Sequence, residues 1–277
     1  MSFNEQSLNK TLDSQYETPF YCSKGIVDKT LDISIEKKEE KDETEYSKLI
    51  TQVNTLPAKY FNIICIMLGG KQRVGKTTAS VHMQHEINNF YQVPCLRYAL
   101  STKLKDITND LCILFDVNVG SFHDEATKIN NRRYLQQIGT NIMRKHFGDE
   151  FWCEVLYKRI IADVRKIIRE LVDSNGISCS QLSYVSKKYK DRELYTPIVV
   201  IIEDTRYQNE INYFKQQFDK AISVIIERPD VGGQTSVNHS SEQQTLDGDV
   251  YINNSFDLNR YFAQLNLVLL NHVGPKV

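Results

Sequence analysis

The sequence predicts a three-layer α/β fold, a parallel sheet of about five strands with helices on both faces. Three observations carry that expectation. Short apolar runs alternate with amphipathic stretches of helical period from residue 60 onward. Ile198-Val199-Val200-Ile201-Ile202 is continuous and β-branched, the pattern of a strand buried on both faces. An apolar run over 60–68 stops at the pair Gly69-Gly70, and an amphipathic segment follows the glycine-rich stretch.

The elements follow in order. Residues 1–57 are rich in Ser, Thr, Asn and Gln and carry the mixed run Glu36-Lys37-Lys38-Glu39-Glu40-Lys41-Asp42-Glu43, which has no apolar face. That composition reads as a disordered or partly helical N-terminal extension to a domain over 58–277. Leu49, Ile50, Val53 and Leu56 have helical spacing, so a short helix is expected before Pro57. The first strand is expected over 60–68 and its helix over 76–90. A second strand spans 93–100, introduced by Pro94. Ser101 is placed to cap a helix whose apolar face uses Leu104, Ile107, Leu111 and Leu114. A loop over 120–126 precedes a helix over 131–146 that Gly148 ends. Asp149 opens a long helix through Trp152, Val155, Leu156, Ile160, Val164, Ile167, Ile168 and Leu171, with Trp152 as a packing anchor. Residues 174–195 read as a surface insertion, and their lysines as a solvated loop. After the 198–202 strand come Glu203-Asp204, a helix over 208–218 and a strand over 221–227. A polar loop, a strand over 249–253 and a closing helix over 256–270 complete the chain.

Composition narrows the function. The formal net charge is -1, without the basic excess of a general nucleic-acid binder, so no stable nucleic-acid binding is expected. The six cysteines form no C-x-x-C pair, and Cys65, Cys95 and Cys112 sit in apolar stretches. Reduced core thiols in a cytoplasmic setting are the expectation. Neither a leader-like N-terminus nor a run of about 18 apolar residues is present, so no membrane span is expected.

The chemistry concentrates at strand ends. Gly70, Gly75, Lys76 and Thr77 fit G-x-x-x-x-G-K-[ST], with a strand before and a helix after. This is the pattern of a phosphate-binding loop, so the fold expected is of the P-loop type. The glycines let backbone N–H groups curl inward, and the helix N-terminus adds its own unpaired donors. Lys76 would reach the β- and γ-phosphates of ATP, and Thr77 would ligate Mg²⁺. Arg73, Val74 and Thr78 complete the loop's contacts. Glu203-Asp204, after a central strand, is the kind of acidic pair that holds Mg²⁺, with Asp204 the second metal candidate, although acidic residues also cap helices there. An acceptor phosphate would need cations of fixed geometry, and arginine suits that best. Arg132, Arg144 and Arg206 are the candidates, with Arg228 placed for a lid or the adenine edge. Solvated helix faces are the plain alternative for Arg132, Arg144 and Lys105. Asn209 and Glu210 open a helix, where capping alone favours such residues. His82, His85 and Glu86 have helical spacing but no third ligand nearby to make a zinc site.

Several segments resemble one family in order. Arg132-x-x-Leu135-Gln136-x-x-Gly139-Thr140, with Arg144 and Trp152, resembles a signature of the deoxynucleoside monophosphate kinases of tailed phages and related viruses. Asp204-Thr205-Arg206-Tyr207-x-Asn209-Glu210, His239-Ser240-Ser241-Glu242 followed by Asp249 and Asn253-Asn254, and Ser101-Thr102-Lys103-Leu104-Lys105 resemble three further segments of it. The resemblance covers about 60–265 and implies transfer of the γ-phosphate of ATP to a deoxynucleoside monophosphate. It implies substrate contacts for Lys105, Gln136, Thr140, Trp152, Asn209, Glu210, His239 and Glu242, and it allows a homodimer. Asn141 stands where the family has Glu, and Thr102-Lys103 stand for its Asp-Pro. The phosphomevalonate kinases of animals share the phosphate loop, a D-T-R segment and an S-E pair, so a small phosphorylated metabolite is the alternative acceptor. An ATP-hydrolysing switch without an acceptor is the third alternative, and it would not require the set Arg132, Arg144 and Arg206.

Overall fold

A computed structural model describes residues 61–175, 197–229, 245–255 and 257–274, together with Ser47, Thr51 and Asn54. Those three residues are helical and exposed, and the Thr51 hydroxyl donates to the Ser47 carbonyl at 2.8 Å. The rest of the expected N-terminal extension, most of the 174–195 insertion and the loop carrying His239 and Glu242 lie outside the described residues.

The described core is an α/β sheet of five strands in the order β2-β3-β1-β4-β5. The strands are β1 (Ile63–Gly69), β2 (Cys95–Ala99), β3 (Ile198–Thr205), β4 (Lys220–Glu227) and β5 (Val250–Asn253). Every neighbouring pair is parallel. Helices α1 (Lys76–Glu86) and α2 (Thr102–Leu114) follow the first two strands. Next come α3 (Glu125–Asn130), α4 (Arg132–Gln136), a π-helical stretch Gln137–Arg144 and α5 (Lys145–Phe147). The long α6 (Phe151–Asn175), α7 (Gln208–Gln217) and α8 (Leu258–His272) complete the set.

Period-2 alternation divides the strands between two cores. Ile64, Ile66 and Leu68 of β1 join Val199 and Ile201 of β3 against α1 and α8. Cys65, Met67, Val200 and Ile202 face the other way, against α6 and α7. All seven residues of β1 are buried, as its central place requires. The thiols of Cys65, Cys95 and Cys153 are buried and free, and burial pushes each one's pKa up. No helix among the described residues is long and apolar enough to cross a membrane.

Several sequence expectations need correction. The helix expected over 76–90 is α-helical only to Glu86, then widens into a π-helical turn, Ile87–Tyr91. The helix expected over 131–146 carries a similar widening at Gln137–Arg144. Ser101 does not cap α2. Its backbone is already right-handed helical, so no hydrogen bond runs from its side chain to the first turn. The apolar face of α2 is shorter than its spacing implies. Leu104 and Ile107 pack against the core, but Ile113, Leu114 and Phe115 are 78%, 73% and 70% exposed. The C-terminal end of α2 lies outside the contacts of that core, so periodicity outruns burial there. The strand expected to end at Ile202 continues through Thr205 and takes the acidic pair into the sheet.

Asp249 ties β5 to β4. Its Oδ2 accepts from the Ser223 N–H and hydroxyl, each at 2.8 Å, and its Oδ1 accepts from Lys215 Nζ at 2.7 Å. Partial burial would raise this carboxyl, but the Lys215 and Ser223 hydrogen bonds outweigh it and hold it below the ordinary 3.8. A depressed folded pKa stabilises above the unfolded value, and the contribution is lost as pH falls through the folded value. Asp249→Ala is expected to cost about 1 kcal/mol at neutral pH by urea denaturation. The difference from wild type should shrink as pH falls below 3.8 and the carboxylate protonates.

Candidate functional site

Parallel sheets gather ligands where the strand carboxyl ends meet a switch in strand order. Here β1 lies between β3 and β4, and the chain leaves it first toward one edge and later toward the other. A cleft of about 570 Å³ opens at that edge. Its walls come from the carboxyl ends of β2 and β3, the residues just after β1 and β4, and the helical segment over 132–144.

The loop after β1 is fixed by contacts from the far end of the chain. Asn254 Nδ2 donates to the Val74 carbonyl at 2.8 Å, and the Tyr261 hydroxyl donates to the Gly75 carbonyl at 3.0 Å. Gly75 has φ +103, and a Cβ there would meet Asn254 Nδ2 at 2.6 Å. Gly70 has φ +131 and passes directly over the Ile226 carbonyl, so it too has no room for a side chain. Arg73 takes a left-handed φ of 64° without being glycine. Lys76, only 8% exposed, donates to the carbonyls of Gly70 at 2.8 Å and Lys71 at 2.6 Å. Its Nζ also lies 3.3 Å from Asp204 Oδ1.

The acidic pair is placed by an irregularity in β3. Met67 pairs with Ile202 but Gly69 pairs with Thr205, so β3 has one residue more than β1 across that interval. Asp204 takes φ +63 within it. Bulges of this kind re-aim side chains. Asp204 is thereby turned to Lys76 and to Arg206, whose Nε and Nη2 lie 3.0 and 2.9 Å from Oδ2. Burial would raise the Asp204 carboxyl, but the Arg206 and Lys76 charges hold it below the usual carboxylate range. Glu203 faces the other partners. Its carboxylate lies beside the Thr77 and Ser80 hydroxyls and pairs with Arg97 at 2.9 Å. Burial dominates there and raises its pKa, with Arg97 opposing.

The opposite wall is basic. Arg132 Nη1 donates to Gln72 Oε1 at 2.9 Å, linking α4 to the glycine-rich loop. Arg144 pairs with the buried Glu210 at 2.6 Å and lies over the Tyr207 ring, 4.5 Å from its centroid. Glu210 also accepts from the backbone N–H groups of Arg206 at 2.7 Å and Tyr207 at 3.2 Å. It therefore anchors the wall and opens α7 rather than presenting a free carboxylate. Among the described residues, seven basic and three acidic side chains line the cleft, so positive charge is concentrated at this edge in a chain of net charge -1.

Of the residues singled out from sequence, Arg73, Gly75, Lys76, Thr77 and Thr78 line the cleft on the loop side. Lys105, Arg132, Gln136, Thr140, Arg144, Arg206 and Arg228 line it elsewhere. Gly70 and Val74 do not line it, and Val74 belongs to the α1-side core. Trp152 touches the cleft but is buried, and its Nε1 donates to the Gly139 carbonyl at 3.0 Å, which is an anchoring role. Asn209 is not in the cleft lining and donates to the Asp149 carbonyl at 3.4 Å. His82 stacks on Phe262 at 3.9 Å and meets Asn266 Oδ1 at 3.0 Å.

The sequence alone assigned no role to Arg97 or Tyr261, and Glu203 stood out only as the neighbour of Asp204 in the acidic pair. Arg97 had a visible signal, because its charge interrupts an apolar strand face. The loop contacts of Asn254 and Tyr261 had none, since they join residues 180 and 186 positions apart. Thr77, Glu203 and Asp204 together offer hard oxygen donors of the type Mg²⁺ prefers, so the residues present fit that ion. No protein-family model and no curated protein matches the chain.

Removing the buried Glu210 carboxylate would strand Arg144 and two backbone donors. Glu210→Ala is expected to lower stability by about 3–5 kcal/mol. Chemical denaturation should show a smaller loss for Glu210→Gln, which retains the shape.

Proposed function

We propose that the chain is a phosphotransferase that moves the γ-phosphate of ATP to a nucleoside monophosphate, a deoxynucleotide in the first instance. The observation that carries this is a cleft with the loop around Lys76 on one wall and Arg132, Arg144 and Arg206 on the others. A loop of this sequence accounts for the donor phosphates alone, and the arginines opposite it suit a second phosphate. The deoxynucleotide acceptor comes from the resemblance of the 132–152 and 204–210 segments to the viral kinases.

The chemistry asks for positioning and charge neutralisation. A monophosphate is mostly a dianion at neutral pH and attacks without a general base. It must instead be brought up to another anion. Arg132 and Arg144 would hold it, because each guanidinium is already oriented, one by Gln72 and the other by Glu210 and Tyr207. Arg206 and Lys76 lie on either side of Asp204, at the boundary between the two walls. Thr77, Glu203 and Asp204 would hold Mg²⁺, which supplies charge neutralisation at the β- and γ-phosphates. Backbone donors of the loop and the first turn of α1 would take the remaining phosphate oxygens.

Transfer to a small phosphorylated metabolite is the second reading, and one observation favours it. Among the described residues, two aromatic rings border the cleft. Trp152 is buried, and Tyr207 has one face covered by Arg144, which leaves little surface for stacking a base.

With ATP and Mg²⁺, the purified chain should form a diphosphate from at least one deoxynucleoside monophosphate in a panel read by chromatography. Phosphomevalonate belongs in the same panel, and turnover of it alone would select the second reading. ATP hydrolysis with no transfer to any acceptor would reject both. Lys76→Ala should reduce transfer by at least about a thousandfold, given the charge it supplies to the transition state. A Lys76→Ala protein that is folded by circular dichroism and still active would remove the loop from the site.

A further inference from the structure

We infer that Arg97 is a positioning residue for the proposed transfer: from β2 it holds the Glu203 carboxylate against the Thr77 hydroxyl at the head of α1. The inference rests on the phosphotransferase reading of the cleft. It starts from a charge where the sheet's own pattern calls for an apolar side chain. Leu96 and Tyr98 of β2 face the α6 core, and Cys95 faces the α1 core. Arg97 alternates with Cys95 onto the α1 side. On β3, Glu203 continues the face of Val199 and Ile201. The two charges therefore meet beneath α1, beside a core built mostly of apolar side chains.

Their contact is close and sheltered. Arg97 Nη1 lies 2.9 Å from Glu203 Oε1, and the two side chains are 10% and 12% exposed. The same Nη1 donates to Ser80 Oγ at 3.2 Å, and the fully buried Ser80 hydroxyl reaches the Thr77 carbonyl at 2.9 Å. The Thr77 and Ser80 hydroxyls also lie beside the Glu203 carboxylate. Arg97, Glu203, Ser80 and Thr77 thus form one connected cluster between β2, β3 and α1.

Stability does not explain the pair. A buried ion pair is often no more stable than apolar residues of the same volume. What it does provide is orientation. Two adjacent carboxylates repel, and here each has its own cations, Arg97 for Glu203 and Lys76 with Arg206 for Asp204. With one oxygen of Glu203 held by Arg97, the carboxylate stays turned toward Thr77, the hydroxyl at the metal end of the loop. Groups that orient the residues around a metal in this way commonly change metal affinity by about 10–100-fold when removed.

Calorimetric titration of the full chain with ATP, once with Mg²⁺ and once with EDTA, separates this role from a structural one. Arg97→Met is expected to lose at least about tenfold in affinity for ATP with Mg²⁺ while keeping its affinity in EDTA within about twofold. Arg97→Lys, which keeps the charge but not the planar fork, should recover part of the loss. Equal losses with and without Mg²⁺, or a wild-type Mg²⁺ dependence in Arg97→Met, would overturn the inference. If Arg97→Met does not fold, Arg97→Lys decides alone: a loss confined to the Mg²⁺ titration supports the role, and any other pattern rejects it. Wild-type protein that binds ATP with no gain from Mg²⁺ sinks this inference and leaves nucleotide binding standing. Wild-type protein that binds neither form sinks the phosphotransferase reading as well.

Discussion

One extra residue in β3, opposite the end of β1, sets the geometry of the whole cleft. In a regular strand, consecutive side chains point to opposite faces of the sheet. Glu203 and Asp204 would then be separated by the sheet itself. The slipped register and the left-handed φ of Asp204 break that rule. One carboxylate reaches the Thr77 hydroxyl while its neighbour reaches Lys76 and Arg206. A left-handed backbone at a non-glycine residue costs about 1–3 kcal/mol. The ion pairs of Asp204 offset it, which is why the conformation persists without a glycine.

The glycine-rich loop depends equally on the end of the chain. Its two inner carbonyls are taken up by Asn254, just past β5, and by Tyr261, on α8. These contacts fix both carbonyls from outside the loop. They also explain why the glycines are required for space as much as for torsion, since Asn254 and Tyr261 occupy the volume a side chain at 75 would need. The loop conformation is thus built by the protein, and a ligand need not induce it.

The walls of the cleft are joined by charge. Lys76 contacts Asp204, Asp204 contacts Arg206, and Glu210 binds both the Arg206 backbone and the Arg144 side chain. A second link runs from Gln72 to Arg132. Pairs with so little exposure are costly to break singly, because each leaves a desolvated partner behind. The guanidinium groups are therefore held in place by the protein itself, and such preorganisation lowers the ordering cost of any ligand the cleft takes.

How much of this was legible depends on the range of the forces involved. The strands and helices follow from local periodicity, and so does the parallel arrangement, because alternating β and α units leave few other solutions. The glycine-rich loop and the arginines could be read as residue types at given spacings. Their convergence in one cleft could not. Leu114 marks the limit of periodicity, since its helical phase is right but no core lies beneath it. Glu210 and Trp152 mark another limit, for their polar atoms are turned to Arg144 and to the Gly139 carbonyl. By itself, the sequence determined the layered parallel fold and a phosphate-binding pattern at the first strand end. Only the tertiary structure decided that Glu203 faces Thr77, that Arg97 holds it there, and that Asn254 and Tyr261 brace the loop. Those contacts join residues far apart in the chain, and local propensity carries no trace of them.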